Sequence, residues 1–242
     1  MEIILKIASG LLGLMIPLLF ATKLNQGIKN SDLDVKRKRK YRQILIVSVA
    51  LFTVLVWAFS LSGILEYHHG DMIPRFAIPL IVFAFIGLYL LRNKRFQGIL
   101  FSIPLSSLVG IQVFRFAGTA FLIIAYLNIL PQPFQLAGYG DILTGTLAIL
   151  SSIALIKQSD NSRFLFWSFS IAGLLDLLNV AFLLLWYYPA WTDSLITSER
   201  ATQFSLVMIP ALVAPIALLL HAYAIFNALE SKQVSWPETA AL

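Results

Sequence analysis

The feature that most constrains this chain is an apolar run from Ile99 to Leu130 that contains a single charged side chain, Arg115. As one straight α-helix the 32 residues would be about 48 Å long, which exceeds the roughly 30 Å hydrocarbon core of a bilayer. Ser102 and Pro104 suit an N-cap and a first helical turn, so we predict that a membrane-spanning helix begins near Ile103. Arg115 then falls close to the middle of the membrane.

Composition supports a polytopic membrane protein throughout. Hydrophobic residues make up 59% of the 242 residues, and charged residues make up 12% against a usual share of roughly 25%. The mean hydropathy is +0.82. Cysteine is absent, which excludes disulfides and thiolate metal sites. The net charge of +6 lies beside apolar runs, so it indicates membrane topology and predicts no nucleic-acid partner.

The predicted fold is an all-α integral membrane protein, a single bundle of seven transmembrane helices over residues 1–230 with a short cytoplasmic tail at 231–242. With the N-terminus outside, the seven spans given below place 14 of the 18 Lys and Arg residues on the cytoplasmic side. This distribution predicts an outside N-terminus and a multi-pass protein of the bacterial inner membrane. The predicted spans are 3–22, 44–65, 76–91, 103–130, 138–156, 164–188 and 204–229.

A basic run follows the first span. Five consecutive basic residues are expected to hold the first loop in the cytoplasm. They could also bind anionic lipid headgroups, at about 1 kcal/mol for each basic residue near the surface. Membrane lipids are therefore predicted partners, and the topology signal alone is the alternative. The five residues are Lys36, Arg37, Lys38, Arg39 and Lys40.

The loop after the second span contains His68, His69 and Asp71. Imidazole and carboxylate side chains are ligands of zinc and other transition metals. No second group of ligands with suitable spacing is visible in the sequence, so a solvated polar loop is the simpler interpretation. We predict no cofactor.

Arg115 needs a partner, because a full charge near the bilayer centre costs about 2.5 to 3.5 kcal/mol on insertion scales. Asp176 lies at a similar depth in the sixth span, and we predict that it neutralises Arg115. Gln112, Asn179 and His221 are expected to add hydrogen bonds to the pair.

A glycine-rich turn is predicted at residues 138–141, at the start of the fifth span. Asp141 then lies in the first helical turn, where a negative charge suits the helix dipole. At that depth it would line an outer approach above the Arg115 pair rather than join it.

These residues support two hypotheses. The first is a small transporter or ligand-binding membrane protein whose midplane site takes a proton or a small polar solute. Histidine and carboxylate side chains are the groups that a proton relay requires. The second is a non-transporting scaffold or assembly factor in which the buried charges form a structural clasp. An intramembrane enzyme with Asp141 or Asp176 as general base is less favoured, because no nucleophile and base are spaced for it.

Overall fold

The computed structural model describes residues 2–230, and every regular element in that range is helical. The predicted tail at 231–242 lies outside the described residues. The α-helices in that range are α1 (Glu2–Asn30), α2 (Val35–Leu61), α3 (Ala77–Leu90), α4 (Lys94–Phe101), α5 (Leu105–Gly110), α6 (Thr119–Tyr126), α7 (Gln135–Ile156), α8 (Ser162–Trp186) and α9 (Ala214–Glu230).

Six stretches of the described chain are long and apolar enough to cross a membrane. They are Ile3–Asn30, Val35–Leu61, Leu105–Tyr126, Gln132–Ile156, Ser162–Trp186 and Ile209–Glu230. Helices α3 and α4 qualify only as a pair and are bent by 90° at their junction, so the number of spans is six, or seven if the pair forms one. The chain is therefore a polytopic helical membrane protein, and the sidedness of its ends remains a prediction.

The bend between α3 and α4 follows from local sequence. Asn93 adopts an extended conformation, and its side-chain oxygen accepts hydrogen bonds from the backbone N–H groups of Arg95 (2.9 Å) and Phe96 (3.3 Å). The side chain of Gln97 donates to the carbonyl of Leu91 at 2.7 Å. An N-cap of this kind starts a new helix and lets the chain change direction.

The basic run 36–40 is helical rather than part of a loop, which corrects the sequence interpretation. Asp34 is the N-cap of α2, and its carboxylate accepts from the backbone N–H of Arg37 at 2.8 Å. The same carboxylate pairs with Arg37 Nε at 3.0 Å. Lys and Arg have high helix propensity, so a helix capped at Asp34 continues through the run.

Helix α9 is the central helix and α2 is peripheral. In their most apolar windows 61% of the α9 span is buried within the protein, against 11% of α2. Helices α7 and α8 pack along each other, and α5 and α6 pack on α7. Two spans depart from α-helical geometry. A 3-10 segment at Ile111–Gly118 separates α5 from α6, and a π-helical segment at Ile209–Val213, which contains Pro210, precedes α9.

Candidate functional site

Arg115 lies in the 3-10 segment and is buried between α7 and α8, with 4% of its surface exposed. Its Nη2 group donates a hydrogen bond to the carboxylate of Asp176 on α8, so the pair predicted from the sequence is confirmed. Its Nε group forms an ion pair with the carboxylate of Asp141 on α7. We call Arg115, Asp141 and Asp176 the charged triad.

The position of Asp141 differs from the sequence interpretation, which placed it above the pair. A 3-10 turn at Gln132–Phe134 leads into α7, which begins at Gln135 rather than near Gly138. Asp141 is thus about 4.5 Å further along the helix than expected. The 3-10 geometry from Ile111 to Arg115 also adds about 2 Å of rise over an α-helix. Both differences bring the side chains of Arg115 and Asp141 to the same height along the helix bundle.

Two glycines allow the helices to approach closely enough for these contacts. A Cβ atom on Gly118 would overlap the carboxylate of Asp141. A Cβ atom on Gly140 would overlap the carboxylate of Asp176, with the Asp176 Cγ only 2.6 Å away. Any larger residue at either position would displace a member of the charged triad. Small residues are the usual means of close helix packing in membranes.

A second group of polar side chains lies one helical turn from the charged triad. Gln112 precedes Arg115 by three residues, and Thr144 follows Asp141 by three. His221 on α9 stacks on Phe169, with ring centroids 4.7 Å apart. A Cβ atom on Gly173 would meet both the His221 ring and the Thr144 methyl group, so these two side chains are neighbours.

We call Gln112, Thr144 and His221 the polar layer. All three are fully buried. Within residues 2–230 the side-chain amide of Gln112, the hydroxyl of Thr144 and both ring nitrogens of His221 have no hydrogen-bond partner. Buried polar groups are normally satisfied. These atoms are therefore available to water molecules or to a small polar ligand.

The secondary partners that the sequence suggested for Arg115 do not bond to it. Gln112 and His221 belong to the polar layer and make no hydrogen bond with Arg115 in the described chain. Asn179 is half-buried on α8, and no side-chain hydrogen bond links it to the charged triad. Thr144 was not among the predicted site residues. Its relation to Asp141, three residues away on one helix face, is the signal that could have identified it.

A small cavity of about 60 Å³ adjoins the charged triad. Arg115, Gly118 and Asp141 form its polar end. Apolar residues form the rest of its wall, among them Leu12 on α1, Leu177 on α8 and Ala217 on α9. A buried water requires about 10–15 Å³ on this scale, so the cavity has room for a few water molecules. Typical organic-ligand sites of about 300–1,000 Å³ are much larger.

Among the candidates for metal binding in the loop between α2 and α3, Asp71 is engaged in a local ion pair. Arg75 donates to the Asp71 carboxylate at 2.8 Å, and this hydrogen bond, with a second from the backbone N–H of His68, lowers the pKa of Asp71 below its ordinary value of 3.8. The His68 ring lies 3.8 Å from the same carboxylate, and His69 is exposed. No three metal-binding side chains cluster anywhere in the described part of the chain.

The basic run on α2 is accessible from solvent. Lys36, Arg37, Arg39 and Lys40 are exposed, whereas Lys38 is half-buried. Lys38 donates to the backbone carbonyl of Lys29 at the end of α1, at 2.8 Å. That bond ties the beginning of α2 to the end of α1. Arg37 pairs with Asp34, and the other exposed side chains of the run, Lys36, Arg39 and Lys40, face solvent, where anionic groups can reach them.

The fold and these contacts define the class: a polytopic membrane protein with a buried Arg–Asp salt-bridge cluster. Residues 76–229 match the family described as Domain of unknown function (DUF8737), and the chain belongs to that family. The matched range contains the whole charged triad and the whole polar layer. Neither a curated protein nor a solved structure matches the chain.

Proposed function

We propose that the protein is a small proton-conducting or proton-coupled transporter of the bacterial inner membrane, in which the charged triad binds and releases the proton. The observation that carries the proposal is the pairing of one buried arginine with two buried carboxylates. Buried charges in membrane helices usually mark ion or proton pathways.

Charge balance gives the first support. With both carboxylates ionised, Arg115, Asp141 and Asp176 sum to a net charge of −1 in a region of low dielectric. One added proton makes the group neutral. The two carboxylates share Arg115 as their ion-pair partner, so a proton added to either one has the same effect on the net charge. An uncompensated charge in such a site is costly, and exchange of one proton is the smallest change that removes it.

The polar layer supports a pathway on one side of the charged triad. Gln112, Thr144 and His221 lie one turn away on three different helices, and their buried donors and acceptors lack protein partners within residues 2–230. Water molecules bonded to them would connect to the triad. On the same side, the hydroxyl of Ser107 accepts from Lys23 Nζ at 2.6 Å nearer the predicted cytoplasmic surface.

The size of the cavity favours a proton over a larger solute. The space beside Arg115 and Asp141 is about 60 Å³, which fits a few water molecules. Its walls away from those two residues are apolar. A sugar or amino acid would need a rearrangement of helices, whereas a proton needs only water and the carboxylates.

The test is proton flux into proteoliposomes that contain the purified protein, under an imposed pH gradient. Asp176→Asn and Asp141→Asn each remove a proton-binding group, while each leaves one arginine paired with one carboxylate. We expect both variants to lose flux and to remain folded. Asp193→Asn, in an exposed outer loop, is the matched control and should conduct like the wild type.

Flux that persists in Asp176→Asn, or a wild type that passes no protons or coupled solute, would refute the proposal. Size-exclusion profiles of each variant in detergent separate loss of flux from loss of fold.

The second candidate is a scaffold whose buried charges act as a structural clasp. It is favoured by the direct contacts of Arg115, which join the α5–α6 span to α7 and α8 at one point. In that case Asp176→Asn should lower thermal stability, with no flux measurable in any variant. Deleting residues 36–40 with topology preserved should then weaken binding to lipid or protein partners, and unchanged binding would count against the scaffold.

A further inference from the structure

A larger cavity lies between α1, α2, α3, α4 and α9, away from the charged triad. Its volume of about 390 Å³ is within the roughly 300–1,000 Å³ range of small-molecule sites. Nearly all of its wall is aliphatic or aromatic. Phe52 on α2 stacks on Phe83 on α3 with centroids 4.3 Å apart, and both rings line the cavity. The two helices therefore meet at this pair, and the space lies between them beside it.

The cavity opens sideways toward the membrane. Ile44 on α2 and Val82 and Ile86 on α3 line it, and they are 49%, 47% and 54% exposed. Side chains that are apolar and exposed in a membrane-spanning helix face lipid. An apolar chain from the surrounding bilayer can enter the cavity without crossing water.

Two polar residues of the lining stand between basic residues in the sequence. They are Tyr41, near the start of α2, and Asn93, at the junction of α3 and α4. Each is flanked in the chain by two basic residues, in the segments Lys40–Arg42 and Arg92–Lys94. All four basic side chains are exposed. An anionic group bound here would lie beside a positive surface, as in sites that recognise acidic lipid headgroups.

We propose that this cavity binds one anionic glycerophospholipid from the bilayer, with an acyl chain between α2 and α3 and the phosphate beside Tyr41 and Asn93. The mostly apolar lining and the basic residues beside it favour such a lipid, and this binding is independent of the proposed transport activity. The basic run 36–40 adds to the positive surface on the same side. The basic residues attract the headgroup, and the cavity adds an apolar surface that binds the acyl chain.

Native mass spectrometry of the delipidated full-length protein, with equal amounts of dioleoylphosphatidylglycerol and dioleoylphosphatidylcholine, tests the proposal. We expect one phosphatidylglycerol per chain in preference to phosphatidylcholine. Ser48→Trp places an indole in the cavity and should abolish retention. Val47→Trp adds the same group at the adjacent residue, which is 63% exposed and not part of the lining, and should leave retention unchanged.

A second pair of variants tests the headgroup and does not depend on filling the cavity. Arg92→Gln and Lys94→Gln should each weaken phosphatidylglycerol binding by about fivefold. Arg163→Gln, exposed at the start of α8 on the same predicted side, should have no effect.

Equal retention of the two lipids by the wild type would overturn the proposal. So would retention by Ser48→Trp equal to that of Val47→Trp, or binding of free oleate but not of the phospholipid. Thermal unfolding of each variant without added lipid shows that it is folded. If Ser48→Trp fails to fold, unchanged binding in Arg92→Gln and Lys94→Gln still refutes the site.

Discussion

Removal of the arginine from the charged triad should be far more damaging than removal of all three charges. Arg115 is 4% exposed and is the positive partner of both carboxylates. Arg115→Met keeps much of the side-chain length but leaves Asp141 and Asp176 facing each other without a countercharge. Loss of one partner from a buried ion pair typically costs 3–5 kcal/mol, so we expect the free energy of unfolding to fall by about 4 kcal/mol.

The triple variant Arg115→Met, Asp141→Asn, Asp176→Asn removes the charge imbalance while it retains similar side-chain volumes. Removal of every charge of a buried ion pair leaves no uncompensated charge, so it costs far less than removal of one partner. We therefore expect the triple variant to recover most of the loss, to within about 1–2 kcal/mol of the wild type. Proton flux should stay absent, because no carboxylate remains.

The assay is reversible unfolding in mixed micelles with increasing sodium dodecyl sulfate, followed by circular dichroism. A change below about 1 kcal/mol in Arg115→Met would show that the arginine does not compensate the carboxylates. A triple variant as unstable as Arg115→Met would show that the instability does not come from uncompensated charge. Stability would then depend on the specific contacts between the helices, as in a structural clasp.

Three further predictions concern packing, acid stability and topology. Gly140→Ala should lower the free energy of unfolding by about 1–3 kcal/mol, because the added methyl group overlaps the charged triad. Gly98→Ala meets only open space and should raise the free energy of unfolding by up to about 1 kcal/mol. The opposite order of stability in thermal unfolding would refute the role of close packing at Gly140. The lowered pKa of Asp71 means that its hydrogen bond with Arg75 stabilises the loop between α2 and α3 above pH 3.8, and that this stabilisation is lost as the pH falls through the lowered pKa. The melting temperature of Asp71→Asn should therefore lack the part of the acid dependence that Asp71 gives to the wild type. Identical dependence of the melting temperature on pH in the wild type and in Asp71→Asn would contradict this. Because the chain has no cysteine, a membrane-impermeant maleimide should label Thr192→Cys but not Asp32→Cys in intact cells, and the reverse pattern would invert the predicted topology.

The long apolar runs and the Arg115–Asp176 pair could be predicted from the sequence because both follow from the cost of exposing polar groups to lipid. Run length identifies spans with no knowledge of packing. A buried arginine requires a carboxylate at similar depth, and few are available. Both costs come from the lipid surroundings alone, so both features can be predicted before the arrangement of the helices is known.

The contact of Asp141 could not be predicted, because it depends on local helix geometry. A uniform rise of about 1.5 Å per residue and a helix that begins near Gly138 would place Asp141 above Arg115. The 3-10 segment around Arg115 and the earlier start of α7 change the relative depths by several ångströms. The glycines at 118 and 140 mark the places where the carboxylates pack, but glycine has too many other roles to identify the contact from the sequence.

The two proposed sites divide the chain in a way that can separate their functions. The charged triad and the polar layer lie wholly within residues 76–229, the part that matches the family. The lipid cavity needs α1 and α2 as well, since Phe20, Tyr41 and Phe52 form one of its sides. Variants of α2 that fill the cavity therefore leave every residue of the triad in place. Proton flux measured in Ser48→Trp would show whether a bound lipid is needed by the triad or only supports the packing of the two N-terminal helices.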